Sequence, residues 1–307
     1  MASELVGRSV EVPGSTSNLG AGFDALGLAL DLWLRLEITG VDEHATPGTL
    51  TWDFGAQSPP DDNAIARGFL AIAAGWPGPL PSVTVRVACD IPMKAGLGSS
   101  AAAIVAGMRL FELLAGPRPE QRLLDVAARL EGHPDNTSPS ILGGFVAACL
   151  TDDGRVAAIA RPWPADLRVV VATPAATLET RRARRALPEH VPLRDAVANV
   201  QRAALLVQAL ASGDRRWMRE ALRDRLHQAY RAALVPGLAE ALALEHPSLC
   251  GVFLSGAGPS VAAIVTDDGH DVRGLFEALY ARLDTPVTVR TLAVVPPFAT
   301  HDRTRQP

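Results

Sequence analysis

Residues Pro92–Ala103 read P-M-K-A-G-L-G-S-S-A-A-A. The glycines Gly96 and Gly98 lead straight into Ser99, Ser100 and a run of small residues, predicting a helix over Ser99–Leu114. A loop of this kind turns tightly, gathers bare backbone N–H groups and delivers them to a helix N-terminus. That end carries unsatisfied donors and the positive pole of the helix dipole, so it attracts phosphate. The stretch therefore predicts a nucleotide phosphate site at the junction of loop and helix.

Neither of two familiar phosphate loops fits. No G-x-x-x-x-G-K-[ST] string occurs anywhere in the chain. Gly96–Ala101 does satisfy the loose dinucleotide pattern, but that pattern follows its strand directly and needs an acidic strand end about 20 residues later. Here the turn Cys89-Asp90-Ile91-Pro92 separates the predicted strand Val83–Ala88 from Gly96, and Glu120 opens a helix after a Pro-rich turn.

The composition bounds the rest. With 307 residues and 48% hydrophobic content, the chain can bury one large core or two modest ones. A net charge of −4 argues against nucleic acid as a principal partner. Cys89, Cys149 and Cys250 are odd in number and far apart, which suggests neither a disulfide framework nor a zinc cluster. The start, Met1-Ala-Ser-Glu-Leu5, has no secretory character, and no uncharged apolar run approaches the ~18–20 residues of a membrane span. A soluble, cytoplasmic protein is expected. Lys94 is the sole lysine and stands beside the glycine loop, where a cation could help to hold phosphate.

Outward from the loop, strands are predicted at Arg8–Val12, ending at Pro13-Gly14, and at Leu26–Ile38, with a polar turn over Ser15–Asp24 between them. Asp61–Gly75 and Pro119–Leu130 read as helices, the first with Asp61 and Asp62 placed to favour its N-terminus. Gly143–Cys149 and Arg168–Thr173 read as strands, with a hairpin-like turn at Thr151–Gly154. Helices are expected at Leu193–Ala211, Arg215–Leu226, Leu238–Leu244 and Val272–Leu283, and strands at Gly251–Leu254, Val261–Val265 and Val287–Val295. The irregular interleaving favours α+β over a doubly wound parallel sheet. A Pro- and Trp-rich stretch at Ala160–Asp166 suggests two units, 1–160 and 161–307. Residues His301–Pro307 read as a frayed polar tail.

Chemistry-bearing residues fall into four stretches. They are Pro13–Asp24 (P-G-S-T-S-N-L-G-A-G-F-D), the glycine loop, Glu131–Asn136 (E-G-H-P-D-N), which closes a helix and enters the loop before Ile141, and Leu254–Ser260 (L-S-G-A-G-P-S). Each also has a plain structural reading. Asn18 and Asp24 could satisfy turn backbone, Ser99 and Ser100 could cap a helix, and His133 could complement a helix C-terminus. The functional readings are a polar-substrate loop, a phosphate loop with a Ser ligand for Mg²⁺, a cluster capable of metal or proton work, and a second small-residue loop able to approach a ligand or the first loop closely. The cluster Arg181–Arg185 reads as a solvated helix face, from which one or two arginines could clamp a carboxylate.

In their joint order and spacing, these stretches resemble the GHMP family of small-molecule kinases, over about Val10–Val265. Within it they look most like the homoserine kinases, on S-x-x-N-L-G-x-G-F-D at Ser15–Asp24, E-G-H-P-D-N at Glu131–Asn136 and T-x-x-A-R-x-x-L-P at Thr180–Pro188. A proline common between the glycines of the first motif is Ala21 here. The resemblance implies a two-domain α+β fold, with an N-terminal domain like ribosomal protein S5 and a ferredoxin-like C-terminal domain. The implied partners are ATP, Mg²⁺ and L-homoserine, phosphorylated on its side-chain hydroxyl in threonine biosynthesis, and the family suggests a homodimer.

By the same resemblance, Pro92, Lys94, Gly96, Leu97, Gly98, Ser99, Ser100 and Ala101 would bind ATP, with Asn63 near the adenine, and Ser100 and Glu131 would ligate Mg²⁺. Asn18, Asp24, His133, Asn136, Arg184, Arg231 and Gly256 would face the amino acid, Asp24 pairing its ammonium and the two arginines its carboxylate. Asn136 stands where some relatives carry a carboxylate proposed as the base. A neutral amide cannot be a base near pH 7, so Asn136 is expected to orient the hydroxyl in a transfer that needs no side-chain base. Two other readings stay open: a kinase of the same family acting on mevalonate, a sugar or threonine, and a catalytically silent binding protein on the same fold.

Overall fold

The computed structural model describes residues 2–56 and 62–298. The chain runs through α1 (Ala2–Leu5), β1 (Ser9–Ser17), β2 (Leu26–Val41), β3 (Leu50–Asp53), α2 (Ala64–Ala73), β4 (Val83–Cys89) and α3 (Ser99–Ala115). It continues with α4 (Glu120–Glu131), α5 (Pro134–Leu142), β5 (Phe145–Leu150), β6 (Val156–Arg161), β7 (Arg168–Pro174), α6 (Thr180–Arg185) and α7 (Leu193–Ser212). The last part holds α8 (Met218–Ala221), α9 (Gln228–Arg231), α10 (Leu238–Leu242), β8 (Leu249–Leu254), β9 (Val261–Val265), α11 (His270–Arg282) and β10 (Val287–Leu292).

Strict alternation makes β2 the spine of the first sheet. Leu30, Leu32, Leu34, Leu36 and Ile38 are buried, while the residues between them are more open. The sheet has the order β3-β4-β2-β5-β6, with β1 paired to β2, and a second sheet has the order β10-β7-β9-β8. Strand β7 joins two cores through its alternation: Val169 and Val171 enter the larger one, and Val170 and Ala172 the one shared with α11. The expected α+β class is what the structure shows.

Two close approaches set the helices. Helices α2 and α3 cross at Gly68 and Gly107, where a methyl group would stand 2.0 Å from the Ile104 carbonyl oxygen and 1.9 Å from that of Ile65. Helix α5 lies on β2 at Gly27, where a methyl group would stand 1.9 Å from the Asp135 carbonyl oxygen. That contact holds the polar helix α5 against the strand and buries Asp135, Asn136, Thr137 and Ser138.

Several expectations need correction. Strand β1 does not end at Pro13-Gly14; a bulge between them lets pairing with β2 continue through Ser17. Residues after His133 form helix α5 rather than a loop, because Pro134 occupies the first helical position, where its missing N–H costs nothing. Arg215–Leu226 is not one helix. Past the short α8, the Asp224 carboxylate accepts from the backbone N–H groups of Leu226, His227 and Gln228 and turns the chain. Helix α2 is capped by Asn63, whose side chain accepts from the N–H groups of Ile65 and Ala66. Asp61 and the tail 301–307 lie outside the described residues. Strands β3 and β6 were not expected from the sequence.

Candidate active site

The two glycine loops are stitched together. Gly96 sits at φ +76, and a methyl group on it would stand 2.3 Å from the Ser255 carbonyl oxygen. Ser255 Oγ donates to the Gly96 carbonyl at 2.7 Å, and Ser260 N–H donates to Ala95 at 3.1 Å. The close approach expected of the second loop is thus observed. Gly98 takes a left-handed conformation at the N-terminus of α3, and no side chain caps that end. The first-turn N–H groups of a long helix are therefore presented to the loop beside it.

The loops border a cleft of about 450 Å³. Among its lining residues are Asn18, Asp24, Lys94, Gly96, Gly98, Ser99, Ser100, Glu131, His133, Asn136, Arg184, Arg231 and Gly256. Four residues expected at the site do not line it. Leu97 and Ala101 point into the core at 2% and 0% exposure, Pro92 borders a separate hollow behind the loop, and Asn63 is the α2 cap. Lys94, at φ 52, reaches Glu179 at 3.3 Å.

At one side of the cleft, Ser100 Oγ donates to Glu131 Oε2 at 2.8 Å. One residue comes from the first turn of α3 and the other from the last residue of α4. Two oxygen donors side by side at a phosphate-attracting helix end suit a hard divalent cation such as Mg²⁺. In the same cleft, Arg184 forks onto Asp24 with Nη1 to Oδ2 at 3.0 Å and Nη2 to Oδ1 at 2.8 Å. The structure thus pairs these two with each other, and both remain about a third exposed to the cleft.

Three residues expected to touch a substrate have structural partners. Asn18 holds its loop, donating to the Gly256 carbonyl at 2.9 Å and accepting from Asp24 N–H at 3.0 Å. Arg231 is 2% exposed and donates to the carbonyls of Gly256 and Ala183. Burial, with the nearby Arg184 cation, holds its pKa down to about 10, so it stays charged at neutral pH. Asn136 Oδ1 accepts from Ser15 Oγ at 2.9 Å, and its Nδ2 donates to Ser17 Oγ at 2.9 Å and to Asp135 at 3.2 Å.

Sequence reasoning missed Asp135. It is 2% exposed, lines the cleft and binds His133 Nδ1 at 2.5 Å. Burial works to raise its pKa, but the hydrogen bond and charge of His133, with a Ser17 hydroxyl and the Arg184 charge, hold it below the ordinary carboxylate value. Burial likewise works to lower the His133 pKa, and the Asp135 carboxylate outweighs it and holds it above the ordinary histidine value. Between those two titrations the pair is an ion pair. The available signal was two titratable residues flanking the helix-starting Pro134. Asp24, His133 and Asp135 bring ligand atoms within 4.8 Å of one another. The Arg184 guanidinium already on Asp24 makes this an ion-pair cluster rather than a cation site.

Phe23 was also missed. It stacks on the buried His227 at 5.0 Å and carries the guanidinium carbons of Arg231 and Arg184 at 5.3 and 5.8 Å from its ring centre. Among the described residues, no helix is long and apolar enough to cross a membrane.

The chain matches two family models: the GHMP kinases N terminal domain over residues 63–144 and GHMP kinases C terminal over residues 206–283. It is 46% identical over 257 residues to a homoserine kinase of Thermus thermophilus, a match covering 82% of this chain and 85% of that one. It is 41% identical over 281 residues to a homoserine kinase of Solibacter usitatus, covering 88% and 89%. The crystal structure of a homoserine kinase from Cytophaga hutchinsonii superposes with a TM-score of 0.82 at 25% identity, covering 94% of this chain and 95% of that one.

Proposed function

This chain belongs to the homoserine kinases of the GHMP family, and on that premise we propose that it transfers the γ-phosphoryl group of ATP to the side-chain hydroxyl of L-homoserine. We assign this reaction to threonine biosynthesis in the cytoplasm. The observation that carries the reading is the Arg184–Asp24 fork in the same cleft as the uncapped α3 terminus and the Ser100–Glu131 pair. An amino acid brings an ammonium and a carboxylate together, so it can exchange partners with that fork, the ammonium to Asp24 and the carboxylate to Arg184. A neutral sugar can offer its hydroxyls to both but has no charge to replace either half of the ion pair.

Backbone N–H groups of Gly96–Ser99 would hold the ATP phosphates at the positive end of α3. Ser100 and Glu131 are the fitting ligands for Mg²⁺, which when bound neutralises phosphate charge. Arg231, fixed by backbone carbonyls and by Phe23, supports the carboxylate end. Asn136 has both amide hydrogens engaged and keeps one lone pair of Oδ1, enough to accept from the incoming hydroxyl and orient it.

No side-chain base is part of this proposal. Asp135 is the nearest carboxylate in sequence to Asn136, yet its lowered pKa makes it a weak base, and His133 and Asn136 occupy Oδ1. Phosphoryl transfer passes through a loose transition state, so positioning and charge neutralisation can supply most of the acceleration. The Asn136→Asp variant tests this. We expect unchanged or lower turnover at every pH; higher turnover with a new acidic limb would reveal a limiting deprotonation and defeat the idea.

The function itself is tested by ADP release with MgATP and L-homoserine, L-threonine, mevalonate or galactose. Turnover should be greatest with homoserine, and Arg184→Leu should raise its KM at least tenfold, the loss of about 1.5–3 kcal/mol from a charged hydrogen bond. The KM for ATP should be unchanged. Preference for mevalonate or galactose, or equal effects of the variant on both substrates, would remove the amino-acid assignment.

A further inference from the structure

Arg231 has three of its five N–H groups engaged. Nε donates to the Ala183 carbonyl at 3.4 Å, and Nη1 donates to the Gly256 carbonyl at 3.0 Å and to His227 Nδ1 at 3.4 Å. Nη2 makes no hydrogen bond among the described residues, and Arg231 borders the cleft. Nη2 is thus the nitrogen left for a substrate carboxylate. The partners of Nε and Nη1 decide where its two hydrogens point, because the guanidinium is planar and rigid. Two of those partners are backbone carbonyls; the third is the side chain of His227.

The His227 ring is wholly enclosed and is set from three directions. Its Nε2 lies 2.9 Å from the Gly20 carbonyl oxygen. A carbonyl can only accept, so Nε2 carries the proton, and Nδ1 is the bare acceptor that faces the guanidinium. The Phe23 ring stacks on the imidazole with centres 5.0 Å apart. From behind, Asp224 Oδ2 accepts the His227 backbone N–H at 2.8 Å, while Asn199 on α7 donates to Asp224 Oδ1 at 2.7 Å and to the Ala21 carbonyl at 3.3 Å. Gly20 sits hard against the same segment, since a methyl group on it would stand 1.8 Å from the Leu222 carbonyl oxygen. The imidazole therefore spans the loop that carries Asp24 and the short helix α9 that carries Arg231.

A protonated ring could not do this. Its Nδ1–H would point at an Arg231 N–H, setting two cations together with no acceptor between them. The charged groups facing the ring are Asp224 beside it, Arg231 on α9 and Asp24 across the loop. Burial, helped by the Arg231 charge, outweighs the two carboxylates and holds the His227 pKa below the ordinary histidine value.

We propose that His227 is the positioning residue for Arg231: as its neutral Nε2–H tautomer it ties the Asp24 loop to α9 and turns Arg231 Nη2 toward the carboxylate of the amino acid. The role rests on the amino-acid reading of the cleft. The carboxylate is remote from the hydroxyl that reacts, so a misdirected Arg231 weakens binding rather than transfer.

The experiment compares two variants with complementary amides and adds a spectrum of the wild type. In His227→Asn the amide oxygen stands near the place of Nδ1 and can accept from Arg231, but the Gly20 carbonyl loses its donor. In His227→Gln the amide nitrogen reaches the place of Nε2 and serves Gly20, but the Nδ1 acceptor is lost. His227→Gln should raise the KM for homoserine about fivefold, the low end for a hydrogen bond to a charged group, with kcat and the KM for ATP unchanged. His227→Asn should keep a homoserine KM nearer to wild type while its thermal midpoint falls. Long-range ¹H–¹⁵N NMR spectra of the wild type at neutral pH should show the His227 ring as the neutral Nε2–H tautomer. A homoserine KM unmoved by His227→Gln, a larger rise in His227→Asn than in His227→Gln, or an imidazolium or Nδ1–H tautomer in the spectrum would each overturn the proposal. The spectrum needs no substrate. A wild type that does not turn over homoserine would defeat the functional assignment by itself, and the tautomer would still decide the placing of His227.

Discussion

Replacing Glu131 by Gln is expected to lower turnover roughly 10²–10³-fold, the usual cost of removing one preorganised electrostatic group from a transition state. Glu131 supplies the charged half of the Ser100–Glu131 pair at the mouth of the phosphate loop. Glutamine keeps the shape and can still accept the Ser100 hydroxyl, so the local fold is spared and only the negative charge is lost. Two further readings separate a metal role from a packing role. The Mg²⁺ concentration for half-maximal activity should rise at least tenfold, and the thermal midpoint without nucleotide should change little, since the carboxylate is partly exposed. Wild-type turnover with an unchanged Mg²⁺ requirement would remove Glu131 from the cation site.

That pair was legible in the sequence because both partners sit in compact strings whose local geometry is nearly forced. Gly96 and Gly98 need left-handed backbone where they stand, and Ser100 follows in the first turn of the helix that the small residues build. The loop at Leu254–Ser260 was readable for the same reason, as glycines let two backbones meet. Less legible was what depends on burial by distant segments. Nothing local says that Arg231 would be enclosed by the carbonyls of Ala183 and Gly256, or that Asn18 would spend its amide on loop geometry. The Arg215–Leu226 periodicity was real, but the Asp224 carboxylate gave the backbone a competing set of partners and ended the helix. Pro134 opens a helix, and the surroundings of Asp135 depend on that helix lying against Gly27 of β2, a contact that the local string does not announce. The short strand β3 owes its place to parallel pairing with β4, a partner thirty residues away that four residues cannot announce.

Asp135→Asn is expected to destabilise the protein by about 3 kcal/mol at mildly acidic pH, the cost of leaving a buried ion without its partner. The sign follows from both members of the pair. Asp135 has its pKa lowered in the folded state, so its contribution is present above the unfolded carboxylate value and is lost as pH falls through the folded one. His133 has its pKa raised, so its contribution is full below the unfolded histidine value and is lost as pH rises through the folded one. The ion pair therefore stabilises most between the two titrations. In the variant, burial acts on His133 without the neighbouring carboxylate, and the ring should titrate below an ordinary histidine. At alkaline pH the wild-type ring is neutral as well, an asparagine carbonyl can accept its N–H, and the difference between the two proteins should shrink. Urea unfolding across pH 5–9, with the His133 ring resonances followed by NMR, checks both statements. A stability difference that is flat across this range, or a His133 pKa unmoved by the substitution, would show that His133 stays neutral beside Asp135 and that the two form no ion pair.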